Sequence, residues 1–495
     1  MRMMSICLLS GLRRALITKY HWTPNVQQKL APSFRSYGVP PQQTLMHQFY
    51  LHVSQNAGVT AALPSNSLKT RKVQNIFATL DCAFISPSRH ITSSEEYRKA
   101  MEQFRIILNE ESIDKDDLIK IVFYVGMQKK SKQATTLTNL ALKRLQNNIT
   151  QLNLTDTCIL ASTIFKCSVL VKSPFPELFS RQMTENMQYL LDNPRDLSVL
   201  VKVLRQQRYH DRKLLDELSK NYERWSKKNL EKCHVLSYFA EAKFATDEIY
   251  KVIETSIKEL EIDYRSKDIA KVLWVASTLG YKIPSDLLPT VWSAINGKIE
   301  EFLSSPDLLL NCLLSMALIG HYHEDLTAIV SSPKAISHYK QLRFNINWMR
   351  LYQLLEFRKI ECGHESNYTG PAFPHPSLQS QMDNRPMLKK IHNFVKYLES
   401  KLELSQTSMC FNVNSVNIAG ITICRNGRSI HIEVLDPFVC LENSSRPVGF
   451  MECKIRLLEK MKSTYLLIGQ EHLNKGEEKL FAWVEDEIVR LYMIQ

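Results

Sequence analysis

Asp117-Leu-Ile-Lys-Ile-Val-Phe-Tyr-Val125 has five counterparts further along the chain. They are Asp156-Thr-Cys-Ile-Leu-Ala-Ser-Thr-Ile164, Asp196-Leu-Ser-Val-Leu-Val-Lys-Val-Leu204, Lys232-Cys-His-Val-Leu-Ser-Tyr-Phe-Ala240, Asp268-Ile-Ala-Lys-Val-Leu-Trp-Val-Ala276 and Asp307-Leu-Leu-Leu-Asn-Cys-Leu-Leu-Ser315. Their starts stand 39, 40, 36, 36 and 39 residues apart. Five of the six open on Asp, read here as a helix N-cap whose carboxylate accepts otherwise unpaired amides. A second helical pattern follows in some units, as at Lys213 to Trp225 and Glu248 to Leu260. A two-helix unit of this length buries its apolar face only against its neighbours. The spacing therefore predicts an α-solenoid of helix-turn-helix repeats, period about 36–40, over residues 95–360.

Upstream of the repeats, residues 1–80 contain no Asp and no Glu but nine Lys and Arg. Leu8, Leu12 and Leu16 fall on one helical face, with Arg2, Arg13, Arg14 and Lys19 as the charge. An acid-free, Arg-rich amphipathic start fits a mitochondrial presequence, expected over residues 1–37 with processing near Arg35-Ser36-Tyr37. Residues 38–94, rich in Ser, Gln, Asn and Pro, are expected as a flexible linker. The net charge of +13 is mostly this segment, so the basic pI says little about partners and local clusters must carry any claim about RNA.

Glycine spacing excludes some chemistry. The closest of the 14 glycines are seven apart, too far for a Walker loop or a G-x-G-x-x-G loop. No H-R-D or D-F-G tripeptide occurs. The 11 cysteines are scattered without a C-x-x-C, which suits a reducing compartment. His321-Tyr-His323-Glu324 reads as a loop after an apolar helix, and neither a metal nor another cofactor is expected. That apolar run, Leu308 to Gly320, is too short to span a bilayer, which takes about 20 residues.

After a Pro-rich linker expected at 361–386, composition shifts to a connecting helix and a β-β-α-β-α module over 387–495. Val413 to Ile423 alternates, Asn426-Gly427 signals a two-residue hairpin, and Ile430, Ile432 and Val434 alternate again. Ile430-His-Ile-Glu-Val-Leu-Asp-Pro437, Gly449-Phe-Met-Glu-Cys-Lys-Ile-Arg-Leu-Leu-Glu-Lys-Met461 and Thr464-Tyr-Leu-Leu-Ile468 together resemble the RAP domain. With the presequence and the repeats, the chain resembles the FAST kinase domain-containing family of mitochondrial RNA-binding proteins. Pro437 and Phe438 stand where that family often has a glycine and an aromatic. The resemblance implies a matrix protein that binds single-stranded mitochondrial RNA and acts on processing, stability or translation of organelle transcripts. RNA-granule or ribosome-assembly proteins would then be its partners.

The RAP fold is in turn similar to restriction-type nucleases, which hold Mg²⁺ with a carboxylate at a strand end and an E-x-K. The nuclease-like candidates here are Glu433, Asp436, Glu452 and Lys454. Glu452 and Lys454 fall in an expected helix, where i and i+2 face apart. Glu433 and Asp436 read as a solvated strand face and a turn residue, and the balance leans against an enzyme. For RNA, the richest stretch runs from Lys202 to Lys228, and the candidate contacts are Lys202, Arg205, Arg208, Tyr209, Arg212 and Lys213. Cations hold an RNA backbone and aromatic or guanidinium planes stack on bases. Arg205, Arg208 and Arg212 would share a face if one helix ran through them. The alternatives are a metal-dependent RNA endonuclease using the tail and a protein-binding solenoid scaffold.

Overall fold

The computed structural model describes residues 49, 73–80, 91–110, 113–128, 131–227, 229–341, 346–365, 368, 370, 371 and 376–494. The expected presequence and most of the expected linker lie outside these residues. The described chain is mostly helical with one small four-stranded mixed sheet near the C-terminus. It divides into two compact units between Tyr238 and Phe239.

The first unit contains α1 (Glu95–Glu110), α2 (Lys115–Val125), α3 (Lys132–Leu145), α4 (Leu154–Cys167), α5 (Phe175–Glu185), α6 (Pro194–Gln207) and α7 (Arg212–Lys220). Helix α2 packs against α4, and α4 against α6, so the first three quoted stretches lie side by side in chain order. The division falls within α8 (Asn229–Ala242). The second unit continues with α9 (Asp247–Lys258), α10 (Ser266–Thr278), α11 (Leu288–Asn296), α12 (Pro306–Leu318), α13 (Glu324–Val330) and α14 (Ile346–Cys362). There α10 packs on α12, and α12 on α14. Leu308 to Leu318 is a buried helix, and no described helix is long and apolar enough to cross a membrane.

The repeated Asp is not the cap. Asp114 caps α2 and Asn153 caps α4, while Asp117, Asp156, Asp196, Asp268 and Asp307 sit inside the first turn. Asp156 shows why an acid recurs there: it accepts from the amide of Asn153 at 3.2 Å, completing a capping box. Inside the first turn a carboxylate also faces the positive end of the helix dipole.

The other end of these helices repeats more regularly than the sequence shows. Ser168, Arg208, Lys243, Gly280 and Gly320 all have positive φ, at 56, 55, 52, 68 and 90°. Behind each, the next amide reaches back across the turn: Val169 to Ile164 O, Tyr209 to Leu204 O, Phe244 to Phe239 O, Tyr281 to Ala276 O and His321 to Met316 O, at 2.9–3.0 Å. This closure satisfies carbonyls that the helix end would orphan. Five successive first helices thus end in the same left-handed turn.

The tail module runs α15 (Pro386–Tyr397), β1 (Gln406–Cys410), β2 (Gly420–Arg425), β3 (Arg428–Val434), α16 (Gly449–Lys460), β4 (Thr464–Ile468) and α17 (Glu477–Ile494). The sheet order is β1-β2-β3-β4, antiparallel except for the parallel β3–β4 pair. Asn426 and Gly427 form the expected hairpin turn, both with positive φ at 51 and 76°. The alternation read from Val413 becomes strand only at Gly420, and β1 is an additional strand. Ile421, Ile423, Ile430, Ile432, Leu466 and Ile468 face a core with Leu388 and Ile391 of α15 and Val484 and Ile488 of α17. Helix α16 lies on the opposite face, where Lys454 meets Glu433, and its Leu457 is fully buried. That helix also packs on α10, α12 and α14.

Gly449 marks the closest approach. A Cβ there would stand 1.6 Å from the carbonyl oxygen of Ser277 at the end of α10. Gly449→Ala is expected to push α16 off α10 and cost about 3 kcal/mol, read as a lower urea midpoint. A midpoint within error of the wild type would refute this close contact.

Candidate functional site

The face of the sheet under α16 is lined by two rows of residues set by strand register. One row is Ser408, Thr422, His431 and Tyr465; the next is Cys410, Gly420, Glu433 and Leu467. Gly420 leaves the room that the second row needs, because a Cβ there would stand 2.5 Å from Asn412 Nδ2 and 2.7 Å from Glu433 Oε1. Through that gap Asn412 Nδ2 donates to Glu433 Oε1 at 2.8 Å. Asn412 Oδ1 accepts from Thr422 Oγ1 at 2.8 Å and from Cys410 Sγ at 2.8 Å, and Thr422 Oγ1 is 2.9 Å from His431 Nδ1.

One buried ion pair closes this face, and a second lies just beyond the end of β3. Lys454 Nζ is 2.5 Å from Glu433 Oε1 and donates to Ile418 O at 2.9 Å, and both side chains are 0% exposed. Burial holds the Lys454 ammonium below the usual lysine range, against the pull of Glu433. Arg385 Nε donates to Asp436 Oδ2 at 2.8 Å, while Nη1 and Nη2 donate to Ala419 O and Val434 O at 2.7 Å. Asp436 Oδ1 accepts from the amide of Phe438. Burial also lowers the pKa of His431 and raises that of Cys410, so both favour their neutral forms.

The solvated reading of Glu433 and Asp436 is therefore overturned: they are 0% and 2% exposed, each facing a cation. Glu452 and Lys454 do face apart on α16, as expected. Glu452 lies against the Gly280 turn, and Lys454 points into the sheet. The structure brings Glu433 and Lys454 together, and leaves Glu452 out. A divalent cation would need oxygen ligands with charge to spare, and here ammonium and guanidinium groups already take the carboxylates. Among the described residues no three His, Cys, Asp or Glu side chains gather into a metal-holding group. The residues present do not fit a Mg²⁺ site. Sequence reading missed Arg385 and Asn412. Arg385 directly precedes Pro386, and nothing in its sequence neighbourhood marks burial.

The second candidate site is divided by a turn. Lys202 and Arg205 lie on α6, Arg208 takes the left-handed position after its end, Tyr209 follows, and Arg212 and Lys213 open α7. The single helical face expected for Arg205, Arg208 and Arg212 does not form, because the helix stops at Gln207. Asp211 then opens α7 as its cap, accepting from the amides of Lys213 and Leu214. Arg208, Arg212 and Lys213 are exposed. Trp225 is fully buried and donates to Leu218 O at 2.7 Å, so it is core.

In the second unit the left-handed turns meet the tail. Lys243 Nζ donates to Phe438 O at 2.7 Å, and Lys243 O accepts from the amide of Glu442. Asn443 pairs with both backbone groups of Ala245. Arg446 donates to Gly280 O. Arg456 donates to Ala317 O, Leu318 O and Glu361, beside Gly320.

No family model matches the chain. It is 30% identical over 132 residues to FAST kinase domain-containing protein 5, mitochondrial, of Homo sapiens, a stretch covering 26% of this chain and 17% of that protein. The same protein of Pongo abelii is 29% identical over 102 residues, 20% of this chain and 13% of the relative. That of Mus musculus is 29% identical over 89 residues, 18% and 12% of the two chains. The chain is thus similar, over about a fifth to a quarter of its own length and under a fifth of theirs, to mitochondrial FAST kinase domain-containing proteins.

Proposed function

We propose that this chain is a mitochondrial matrix protein that binds single-stranded RNA without cutting it, as a FAST kinase domain-containing type of protein with an α-solenoid and a RAP-like tail. It acts on organelle transcripts by shielding them or presenting them to a processing enzyme. The observation that carries this reading is the exposed cationic turn at Arg208, Arg212 and Lys213, in a chain similar to a protein named as mitochondrial. Support for a non-covalent role comes from the pairing of Glu433 with Lys454 and of Asp436 with Arg385. Those carboxylates each face a buried cation and hold the module together.

Ultraviolet crosslinking of the purified chain to single-stranded RNA is expected to recover covalent protein–RNA adducts, with the RNA uncut in Mg²⁺. An absence of adducts would move the reading to the protein-binding scaffold. RNA shortened in Mg²⁺ by a folded wild type, and not by folded Glu433→Gln, would promote the endonuclease.

A further inference from the structure

Resting on the RNA-binding reading, we infer that single-stranded RNA is held across two successive left-handed turns of the first unit, residues 165–173 and 207–213. Gln207 makes these turns one surface. Its Oε1 accepts from the amide of Val171 at 2.8 Å, and its Nε2 donates to Val169 O at 3.0 Å. The turn after α4 is thereby fastened to the end of α6.

Charge and exposure identify the occupant. Lys166, Lys172, Arg208, Arg212 and Lys213 are all exposed on these two turns. Asp211 is the one acid in either stretch, and its oxygens accept from the amides of Lys213 and Leu214 and from Ser180 Oγ. Between the cations stand apolar groups in water: Leu170 is 75% exposed and Phe165 41%. A polyanion with flat apolar faces matches this mixture, phosphates against the cations and bases against Phe165 and Leu170. In the second unit the corresponding turns at Lys243, Gly280 and Gly320 carry the tail instead. One structural device repeated along the chain thus serves two occupants: the chain's own C-terminal module on the later turns, and RNA on the earlier ones.

The full chain, a fluorescein-labelled oligouridine and a salt titration test this. The triple variant Lys172→Ala, Arg208→Gly, Lys213→Ala is expected to flatten the salt slope by roughly two, at about 0.7 per single-strand phosphate contact. Glycine at 208 keeps the positive φ that the turn requires. Leu170→Ser is expected to weaken binding while leaving the slope unchanged, because it removes an apolar contact and no charge. Circular dichroism melts matching wild type confirm that both variants are folded. A wild type that binds, with a triple variant of equal affinity and slope, overturns this surface and leaves the RNA reading standing. A wild type that does not bind oligouridine even at low salt overturns both. If polyglutamate binds as tightly as oligouridine and displaces it, the surface belongs to an acidic protein segment and the RNA assignment falls.

Discussion

Lys454→Met is expected to destabilise the tail by about 3–5 kcal/mol, and Glu433→Gln added to it to restore most of that loss. The ammonium of Lys454 is the only cation within ion-pair distance of Glu433 among the described residues. Both side chains are 0% exposed, so no water replaces the partner that methionine removes. A carboxylate left in that position is far more costly than a neutral amide. Glutamine keeps an oxygen for Asn412 to donate to, and takes away the charge that needs Lys454. The measurement is native-state hydrogen exchange read at β2 and β3, because a chain of two units need not unfold in one step. A single variant costing under about 1 kcal/mol, or a double variant no better than the single, would show that the pair is not what holds α16 to the sheet.

Asp436→Asn comes second, with an expected cost of about 2–4 kcal/mol. From sequence alone Asp436 reads as a turn residue that would tolerate asparagine. The structure reverses that expectation, because the Arg385 guanidinium is 0% exposed and Asp436 is its anion. Asparagine keeps one acceptor oxygen, so it can serve Arg385 or the Phe438 amide and turns an NH2 donor towards the other. It leaves the guanidinium charge to the carbonyls of Ala419 and Val434. Arg385→Lys should do no better, since one ammonium replaces a planar fork that spans three acceptors. The readout is the urea midpoint alongside RNA binding. Unchanged stability would refute a structural role for the pair. Mg²⁺-dependent RNA cleavage by the wild type, absent from a folded Asp436→Asn, would point to catalysis instead.

What the sequence reveals here depends on how local each signal is. The hairpin at Asn426-Gly427, the helix from Gly449 and the strand Thr464–Ile468 all rest on neighbouring residues and were legible. So was the burial of the repeated helices, whose apolar spacing is a short-range pattern. The turn at Arg208 was not, because a left-handed residue after a helix is usually glycine, and here arginine and lysine take that position at 208 and 243. The fate of Glu433 and Asp436 was equally hidden. Their partners lie 21 and 51 residues away in sequence, on α16 and just before α15. A lone acid on an alternating strand looks solvated until the helix above it is known to place a lysine over it. Strand β1 escaped for a related reason: Gln406–Cys410 has no strong alternation, and pairing with β2 makes it a strand.

The left-handed turns of the second unit have a consequence for how loss of the C-terminus reads. The ammonium of Lys243 and the carbonyls of Gly280, Ala317 and Leu318 find their partners in residues 438–456. A nonsense change upstream of Phe438 would therefore strip hydrogen-bond partners from three helix ends as well as deleting the module. Such an allele should lower the abundance of the whole second unit, so its phenotype would report a missing protein rather than a missing tail activity. Point changes at exposed tail positions such as Lys479 leave those helix ends covered, and they isolate what the tail itself does.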